Sequence, residues 1–320
     1  MTRDAFSIMS GLRLPLICAP MFGVSNAALV GEARRSGIVG ALPRQNFATR
    51  DEFEAVLQAV HETDGVHPGG KVAVNLSTAL SQSELRDELA LLGDYGVRVV
   101  ITAKGSPAPV IEEAHRRGIS VFSDVTSLEH ARKARNVGAD GLICICQGGG
   151  GHSGRLNHMS MLGAVRDEFD GVIVLAGALS TGADILAAQA LGADLAYMGT
   201  RFIATVEAGS PPAYKEMLVQ STANDLVYTP MVNKVPANWL RPSLAAAGID
   251  ETAMPAEGTR LARKPWIEIW SAGQGIETIN DIPSVGALVD RLETQYRHAL
   301  ATLQGKAGVV VGAPASESTA

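Results

Sequence analysis

The sequence predicts a (β/α)8 barrel of the TIM type, an α/β fold, with a C-terminal lid and helical extension. Eight short apolar runs rich in β-forming residues occur between residues 14 and 199, and a helical pattern follows each of the first seven. The phrase Val-Gly-Ala-Asp at 137–140 returns as Leu-Gly-Ala-Asp at 191–194, where a helix ends at glycine and a strand begins. This alternation requires a parallel sheet, and eight units most naturally close into a barrel. A doubly wound open sheet is the alternative, but no G-x-G-x-x-G turn follows the first strand.

The predicted strands are short and almost continuously apolar, as in strands that are buried on both faces. The run Gly-Leu-Ile-Cys-Ile-Cys at 141–146 is an example, and Pro20 closes the first run. The strands are predicted at residues 14–20, 38–42, 71–76, 97–102, 120–125, 142–146, 172–177 and 195–199.

Capping residues and glycines delimit the helices between these strands. Ser25 or Asn26 begins a helix through residue 33, and Thr49 with Glu52 forms a capping-box pattern. Ser127 caps a helix that ends at residue 137, and a helix after Pro107 stops at Gly118. Further helices are predicted at residues 83–92, 159–168 and 183–191.

The remainder of the chain has a different pattern. We expect the barrel to comprise residues 1–205 and 267–303, and residues 206–266 to form a lid or substrate wall. Residues 228–265 contain five prolines and are predicted to be irregular, while residues 267–275 suggest a strand that leads into a glycine turn. Residues 284–303 form an amphipathic helix pattern, and residues 304–320 are expected to be a disordered tail.

Composition excludes several classes of function. The chain has 320 residues, is 46% hydrophobic and 19% charged, and carries a formal net charge of −6. No basic stripe is present for nucleic acid, and no window approaches the roughly 20 apolar residues that cross a membrane. Cys18, Cys144 and Cys146 are expected to be buried free thiols, and no metal site is predicted. Without an evident signal peptide, a cytoplasmic location is expected; a homodimer is left open.

The residues after the strands outline a ligand site, because ligands of such barrels bind at the carboxyl ends of the strands. Asn75, Lys104 and Asp124 come from strands three, four and five. The stretch Gln-Gly-Gly-Gly-Gly-His-Ser-Gly at 147–154 follows strand six, and its glycines allow the backbone to approach a flat ligand. A mobile loop with a structural histidine is the alternative. The other candidates from this region and from strand one are Ala19, Pro20, Met21, Phe22, Gly150, Gly151 and His152.

The turns after strands seven and eight predict a phosphate site. Gly177 and Ala178 follow strand seven, and Gly199 and Thr200 follow strand eight. Small residues leave backbone N–H groups uncovered at a helix N-terminus, although ordinary tight turns are the alternative. A phosphate anchor beside a glycine-lined plane suggests FMN. Lys104 is a candidate to balance the charge of the reduced ring, with a surface lysine as the alternative interpretation.

Several motifs in fixed order resemble those of nitronate monooxygenases, formerly called 2-nitropropane dioxygenases. They are Leu-Pro-Leu-Ile-Cys-Ala-Pro-Met at 14–21, Gly-Gly-His-Ser-Gly at 150–154, Gly-Thr-Arg-Phe-Ile-Ala-Thr at 199–205 and Ile-Trp-Ser-Ala-Gly-Gln-Gly at 269–275. The resemblance extends to about residue 303. It implies an FMN-bearing barrel that oxidises alkyl nitronates, such as propionate 3-nitronate, with O2 and without a metal. It assigns His152 as catalytic base or substrate anchor, and it places on the cofactor Met21, Asn75, Asp124, Gly150, Gly177, Ala178, Gly199, Thr200 and Gln274.

The chain departs from this pattern at three places. Gly149-Gly150 stands where some members have Glu-Ala or Cys-Ala, Asp124 where some have lysine, and Ala178 where some have a second glycine. Related members use NAD(P)H to reduce enoyl thioesters, enones or quinones, so such a flavin reductase is a second hypothesis. A non-redox barrel that binds a sugar phosphate or pyridine phosphate is a third.

Overall fold

The computed structural model describes residues 5–250 and 263–310. Eight parallel strands form a closed barrel, in which the last strand pairs with the first through Leu16 and Ala196. The prediction of a TIM barrel is therefore confirmed. The barrel strands, in their order around it, are β1 (Leu16–Cys18), β2 (Val39–Pro43), β3 (Lys71–Ser77), β4 (Val99–Ala103), β5 (Ser120–Val125), β6 (Gly141–Ile145), β8 (Val172–Ala176) and β9 (Leu195–Met198).

Helices surround this barrel and follow the predicted caps. Thr49 and Glu52 form the expected capping box, Ser127 caps the fifth helix, and Asn26 rather than Ser25 caps the first. The helices are α1 (Ala27–Arg35), α2 (Arg50–His61), α3 (Gln82–Asp94), α4 (Ala108–His115), α5 (Leu128–Asn136), α6 (His158–Arg166), α7 (Gly182–Ala190), α8 (Thr200–Ile203), α9 (Pro212–Gln220), α10 (Arg241–Ala246) and α11 (Val285–Val310). Short 3-10 turns cover Ala5–Met9, Arg44–Asn46, Ala223–Asp225 and Gln274–Thr278.

Two apolar layers hold the barrel together. An inner layer fills the barrel with buried side chains such as Ile17, Phe122 and Val174, and Ile8 packs against this layer. Ile8 contacts the layer that includes Val99 and Leu195, which begin their strands, so the N-terminal segment covers the amino end of the barrel. The outer layer lies between strands and helices and contains the three cysteines, which are free and buried as predicted.

The prediction of an irregular segment at 228–265 was wrong for its described part. Two strands, β10 (Leu226–Thr229) and β11 (Ala237–Leu240), pair antiparallel, and α10 follows. The prolines delimit these elements rather than interrupt them, because Pro230 follows the end of β10 and Pro236 precedes β11. The hairpin adds β7 (Gly151–His152) as a third strand, with Ala237 opposite His152. Residues 251–262 lie outside the described residues.

Two further boundaries differ from the sequence interpretation. Residues 267–270 do not form the predicted strand; they make one isolated bridge, between Pro265 and Ile269. The chain turns sharply there, because Trp266 has a φ of 63° and its amide donates to the Ile269 carbonyl. Helix α11 continues to Val310 rather than ending at residue 303. The remaining residues of the predicted tail, 311–320, lie outside the described part of the chain.

Candidate active site

A cavity of about 480 Å³ opens at the carboxyl ends of the barrel strands. This volume is in the range of small-molecule and cofactor sites. Of the residues predicted for the site, all but Gln274 line this cavity: Ala19, Pro20, Met21, Phe22, Asn75, Lys104, Asp124, Gly150, Gly151, His152, Gly177, Ala178, Gly199 and Thr200.

Gln274 lies elsewhere. Its side chain is exposed and approaches Gly148 on the glycine stretch, where it lines a separate pocket with Gln147 and Arg155. The flanking glycines, Gly273 and Gly275, line the main cavity instead. The segment was thus predicted at the site, but its backbone rather than its amide side chain faces the cavity.

The glycines of the 147–154 stretch are required by backbone packing as well as by access to a ligand. A Cβ on Gly150 would lie 3.0 Å from both the Gly273 amide nitrogen and Thr200 Oγ1. A Cβ on Gly273 would lie 2.7 Å from the Gly148 carbonyl oxygen. Two loops therefore touch through their backbones at this point, which any side chain would prevent.

The β10–β11 hairpin pins the glycine stretch from the outside. The buried Asn238 donates from Nδ2 to the Gly149 carbonyl at 2.7 Å, and Tyr228 donates its hydroxyl to the Ser153 carbonyl at 3.1 Å. These hydrogen bonds hold the stretch in place between the barrel and the lid, which argues against the alternative of a mobile loop. The hairpin holds His152 as part of a sheet.

His152 is partly buried and contacts two side chains from the lid segment. Its Nε2 lies 2.9 Å from Nδ2 of Asn233, and its ring meets that of Trp266 edge-on at 5.0 Å. Burial, with a smaller contribution from the positive charge of Lys104, lowers the pKa of His152 to about 4. The imidazole is therefore neutral at physiological pH.

Two polar side chains from β3 and β5 also line the cavity. Asn75 is buried; it accepts from Gln45 Nε2 at 3.2 Å and donates to the Ile101 carbonyl at 3.2 Å. Asp124 partly faces the cavity, yet its Oδ1 is buried without a hydrogen-bond partner. Desolvation raises the pKa of Asp124 to about 7. Near neutral pH this carboxyl is thus divided between its acid and its anion, beside the phenol of Tyr197.

The two turns predicted to bind phosphate differ in what they offer. At the start of α7, the amides of Ser180 and Thr181 donate to Asp184 Oδ2, and that of Gly182 donates to Gln295 Oε1. By contrast, among the described residues no turn or cap hydrogen bond uses the amides of Gly199 and Thr200 as donors.

The turn between β8 and α7 contributes a hydroxyl instead. Ser180 Oγ is buried without a partner, and a Cβ on Gly275 would lie 2.4 Å from it. Because Gly275 itself lines the cavity, this hydroxyl lies just behind the cavity wall. A buried polar atom that no protein group satisfies indicates a missing ligand or water.

Backbone strain is concentrated around the cavity. Four described residues other than glycine have positive φ, and three of them line it: Lys104 (63°), Ala178 (55°) and Trp266 (63°). The fourth, Lys234 (65°), directly follows Asn233. Such conformations cost about 1–3 kcal/mol each and cluster at functional sites.

Sequence reasoning missed several residues of this site. Gln45 lies just after β2, where the same strand-end argument could have found it. Tyr197 lies within β9 and its inward direction follows from alternation. Ser180 lies in the turn that was predicted to bind phosphate, where its hydroxyl could have been singled out. Asn233 and Trp266 carried no local signal, because their roles depend on loops that approach the cavity from elsewhere in the chain.

Known proteins show the family to which this chain belongs. The model of a family described as nitronate monooxygenase matches residues 66–295. The chain belongs to the nitronate monooxygenase family. The resemblance seen in the sequence motifs is thereby confirmed, and the protein is an enzyme of an oxidoreductase family.

Two relatives of this chain carry different names. One is the nitronate monooxygenase of Paraburkholderia phytofirmans, 25% identical over 75% of this chain and 77% of the relative. Another is the (3aS,4S,5R,7aS)-5-hydroxy-7a-methyl-1-oxo-octahydro-1H-indene-4-carboxyl-CoA dehydrogenase of Mycobacterium tuberculosis, 28% identical over 76% of this chain and 67% of the relative.

Solved structures show the same fold. FabK from Thermotoga maritima superposes with a TM-score of 0.77 over 96% of this chain and 99% of its own, at 22% identity. Nitroalkane oxidase from Streptomyces ansochromogenes superposes with a TM-score of 0.71 over 93% and 99%, at 23% identity. Among the described residues, no helix has the length and apolar character to cross a membrane, and no cluster of three His, Cys, Asp or Glu could hold a metal.

Proposed function

We propose that this protein uses FMN to oxidise alkyl nitronates, such as propionate 3-nitronate, with O2 to a carbonyl compound and nitrite. The observation that carries the proposal is a cavity that holds a neutral imidazole and has two unpartnered polar atoms, one just behind its wall and one in its lining. His152 supplies the imidazole, and Ser180 Oγ and Asp124 Oδ1 are the unpartnered atoms.

The residues present fit the phosphate end of FMN. The free amides of Gly199 and Thr200 and the buried hydroxyl of Ser180 would donate to a phosphate, and Gly275 leaves the space for it. The amides of Ser180, Thr181 and Gly182 at the start of α7 are already engaged within the protein, so this site depends on fewer backbone donors than the sequence suggested.

The polar residues from β3 and β5 fit the polar edge of the ring. Asn75, oriented by Gln45, offers amide groups with unused hydrogen-bonding capacity, and Asp124 offers an oxygen that is buried and free. Lys104 also lines the cavity and would supply positive charge to balance the negative charge of reduced FMN. Ala19 to Phe22 would contact the ring edge.

The chain's own groups bind and orient the substrate. When bound, FMN supplies the electron-accepting chemistry. A nitronate arrives already ionised, so no strong base is needed, which agrees with an imidazole whose pKa is about 4. His152 contacts the nitronate, and Trp266 shields the imidazole from water.

The relative from Paraburkholderia phytofirmans, named nitronate monooxygenase, supports this proposal. The relative named as a CoA dehydrogenase supports the second candidate, an NAD(P)H-dependent flavin reductase of enoyl thioesters, enones or quinones. The structural feature in favour of this candidate is the apolar mouth of the cavity. Phe22 there is 45% exposed, and Ile267, which contacts the adjoining Gly23 position, is 42% exposed.

One anaerobic experiment separates the candidates. The purified protein is mixed without O2 with propionate 3-nitronate, NADH or NADPH, and the flavin absorbance is followed. Rapid bleaching by the nitronate, followed by nitrite release when O2 is admitted, is expected. Bleaching only by NADH or NADPH would favour the reductase, and a colourless protein with no affinity for FMN would leave the non-redox barrel.

A further inference from the structure

The orientation of the Asn233 side chain can be read from its two contacts. Its Oδ1 accepts from the Val235 amide at 3.3 Å, so Nδ2 is the atom directed at His152 Nε2, 2.9 Å away. An amide nitrogen only donates. His152 Nε2 must therefore be the acceptor, without a proton of its own.

A neutral imidazole that accepts at Nε2 carries its proton on Nδ1. His152 Nδ1 makes no hydrogen bond to any described residue, so it is the ring nitrogen left for a ligand in the cavity. We propose that Asn233 is a positioning residue that fixes this tautomer, so that His152 donates a hydrogen bond to the oxygen of a bound oxyanion and does not act as a base. The inference rests on the proposed function for the identity of that oxyanion, a nitronate or an enolate-like thioester.

The loop that carries Asn233 is itself well positioned. It connects β10 to β11, and Lys234 donates its amide to the Pro230 carbonyl at 2.7 Å. Met231 donates its amide to Thr229 Oγ1 at 3.2 Å. With Lys234 in the left-handed region, the loop turns tightly enough to direct Asn233 back towards β7.

The surroundings of His152 oppose a second proton on the ring. Protonation would place an N–H at Nε2 against the N–H of Asn233, which is a repulsive arrangement. Lys104 adds positive charge from the end of β4, and Trp266 covers the ring from the lid segment. Asp124, Tyr197 and Tyr214 are the other titratable groups that line the cavity. A neutral imidazole that donates to developing negative charge is a known catalytic arrangement.

The tautomer can be measured without turnover. In protein as purified and labelled with [15N]histidine, the two ring nitrogens of His152 are distinguished by long-range 1H–15N correlation, with the signals assigned by comparison with His152→Ala. We expect Nδ1 to be protonated and Nε2 to be bare from pH 6 to 9. A proton on Nε2 in the wild-type protein would overturn the proposal.

Asn233→Asp reverses the contact, because an acceptor then faces Nε2. The titration midpoint of His152 should rise by roughly one to three pH units, since a carboxylate within hydrogen-bond distance favours the imidazolium. Val235→Asp is the matched control: it places the same charge on an exposed position of the same loop, 43% exposed, and should shift the midpoint much less. Equal shifts in both variants would contradict a specific role for Asn233.

Kinetics supply a second readout. In Asn233→Asp, kcat/KM should gain a pH-dependent limb at the raised titration midpoint of His152, and the Val235→Asp control should lack this limb. If the aspartate variant does not fold, Asn233→Ala replaces it and should yield a mixture of both tautomers; a single unchanged Nδ1–H tautomer would count against the proposal. If the tautomer is as proposed but nitronates are not oxidised, the proposed function fails and this inference stands.

Discussion

Trp266 meets His152 edge-on, with ring centroids 5.0 Å apart and an angle of 77° between the ring planes. Trp266 packs in turn on the fully buried Trp239, at 5.2 Å. The imidazole on the barrel loop is thus held by an aromatic pair from the lid segment. Edge-to-face pairs of this kind contribute about 0.5–1.5 kcal/mol beyond the area they bury.

Removing the Trp266 ring should weaken the positioning of His152. We expect Trp266→Leu to lower kcat/KM for a short nitronate by up to about 10-fold, the equivalent of one such ring contact. Trp266→Phe keeps an aromatic edge and should lose less. Because the larger cavity admits longer chains, the leucine variant should show a smaller penalty for long alkyl nitronates. If kcat/KM depended on alkyl chain length in the same way in Trp266→Leu and Trp266→Phe, Trp266 would not be part of the substrate wall.

His152→Ala should separate cofactor binding from turnover. The proposed phosphate-binding groups, which include Gly199, Thr200 and Ser180, do not depend on the imidazole. The variant should therefore keep its yellow colour and its flavin content. Turnover of nitronate should fall by about 100- to 1,000-fold, the range that one positioned hydrogen-bond donor to an oxyanion contributes. His130→Ala, an exposed histidine on α5 bonded to Thr126, is the control and should retain activity. Unchanged nitronate oxidation in His152→Ala would remove this residue from the mechanism.

Gly275→Ala tests the phosphate end of the cavity. Its Cβ would lie 2.4 Å from Ser180 Oγ and 2.9 Å from the Ala178 carbonyl oxygen, so the wall must move. We expect a loss of bound flavin and a weaker Kd for added FMN, measured by absorbance and by fluorescence titration. Gly163→Ala is the matched control, because nothing lies within 4 Å of its Cβ on the exposed face of α6. That helix substitution should keep the flavin and stabilise the fold by about 0.5–1 kcal/mol.

Asp124 should make stability depend on pH in the direction opposite to that of most aspartates. Burial raises its folded-state pKa to about 7, whereas an exposed aspartate has a pKa of about 3.9. Between these values the folded protein binds a proton that the unfolded chain has released. The contribution of Asp124 to stability is therefore full below about pH 4 and is lost as the pH rises through about 7.

Asp124→Asn removes this dependence while it keeps the shape of the side chain. Thermal unfolding of both proteins as purified should show that the Tm of the variant rises relative to that of the wild type between pH 5 and pH 8. Curves that stay parallel across this range would show that Asp124 is ionised throughout, and a lysine partner such as Lys104 would then have to be paired with it in solution.

Much of the architecture could be predicted, because it follows from local sequence patterns. Apolar runs, capping residues and helix-ending glycines mark each βα unit, and parallel strands bring their carboxyl ends to one side. That argument predicts Asn75, Asp124 and His152 in one cavity, where the structure has them. Gln274 was assigned by the family resemblance instead, and its side chain lies outside this cavity, because a position in a tight turn does not reveal which way a side chain points.

The lid segment was the part that local patterns misrepresented. Its prolines suggested irregular chain, yet Pro230 and Pro236 mark the ends of two strands whose partner is the two-residue β7. A strand of two residues has no periodicity that a sequence could show. Its existence depends on the hairpin that pairs with it.

The order of residues alone thus determines a barrel of eight units, the end at which it binds ligands and the imidazole at that end, since each follows from short-range periodicity and chain connectivity. The folded protein decides the chemical state of that imidazole. Asn233 and Trp266 reach His152 only through contacts between segments far apart in sequence, 81 residues in the case of Asn233. Burial and hydrogen-bond direction, which such contacts create, cannot be read from neighbours in the chain.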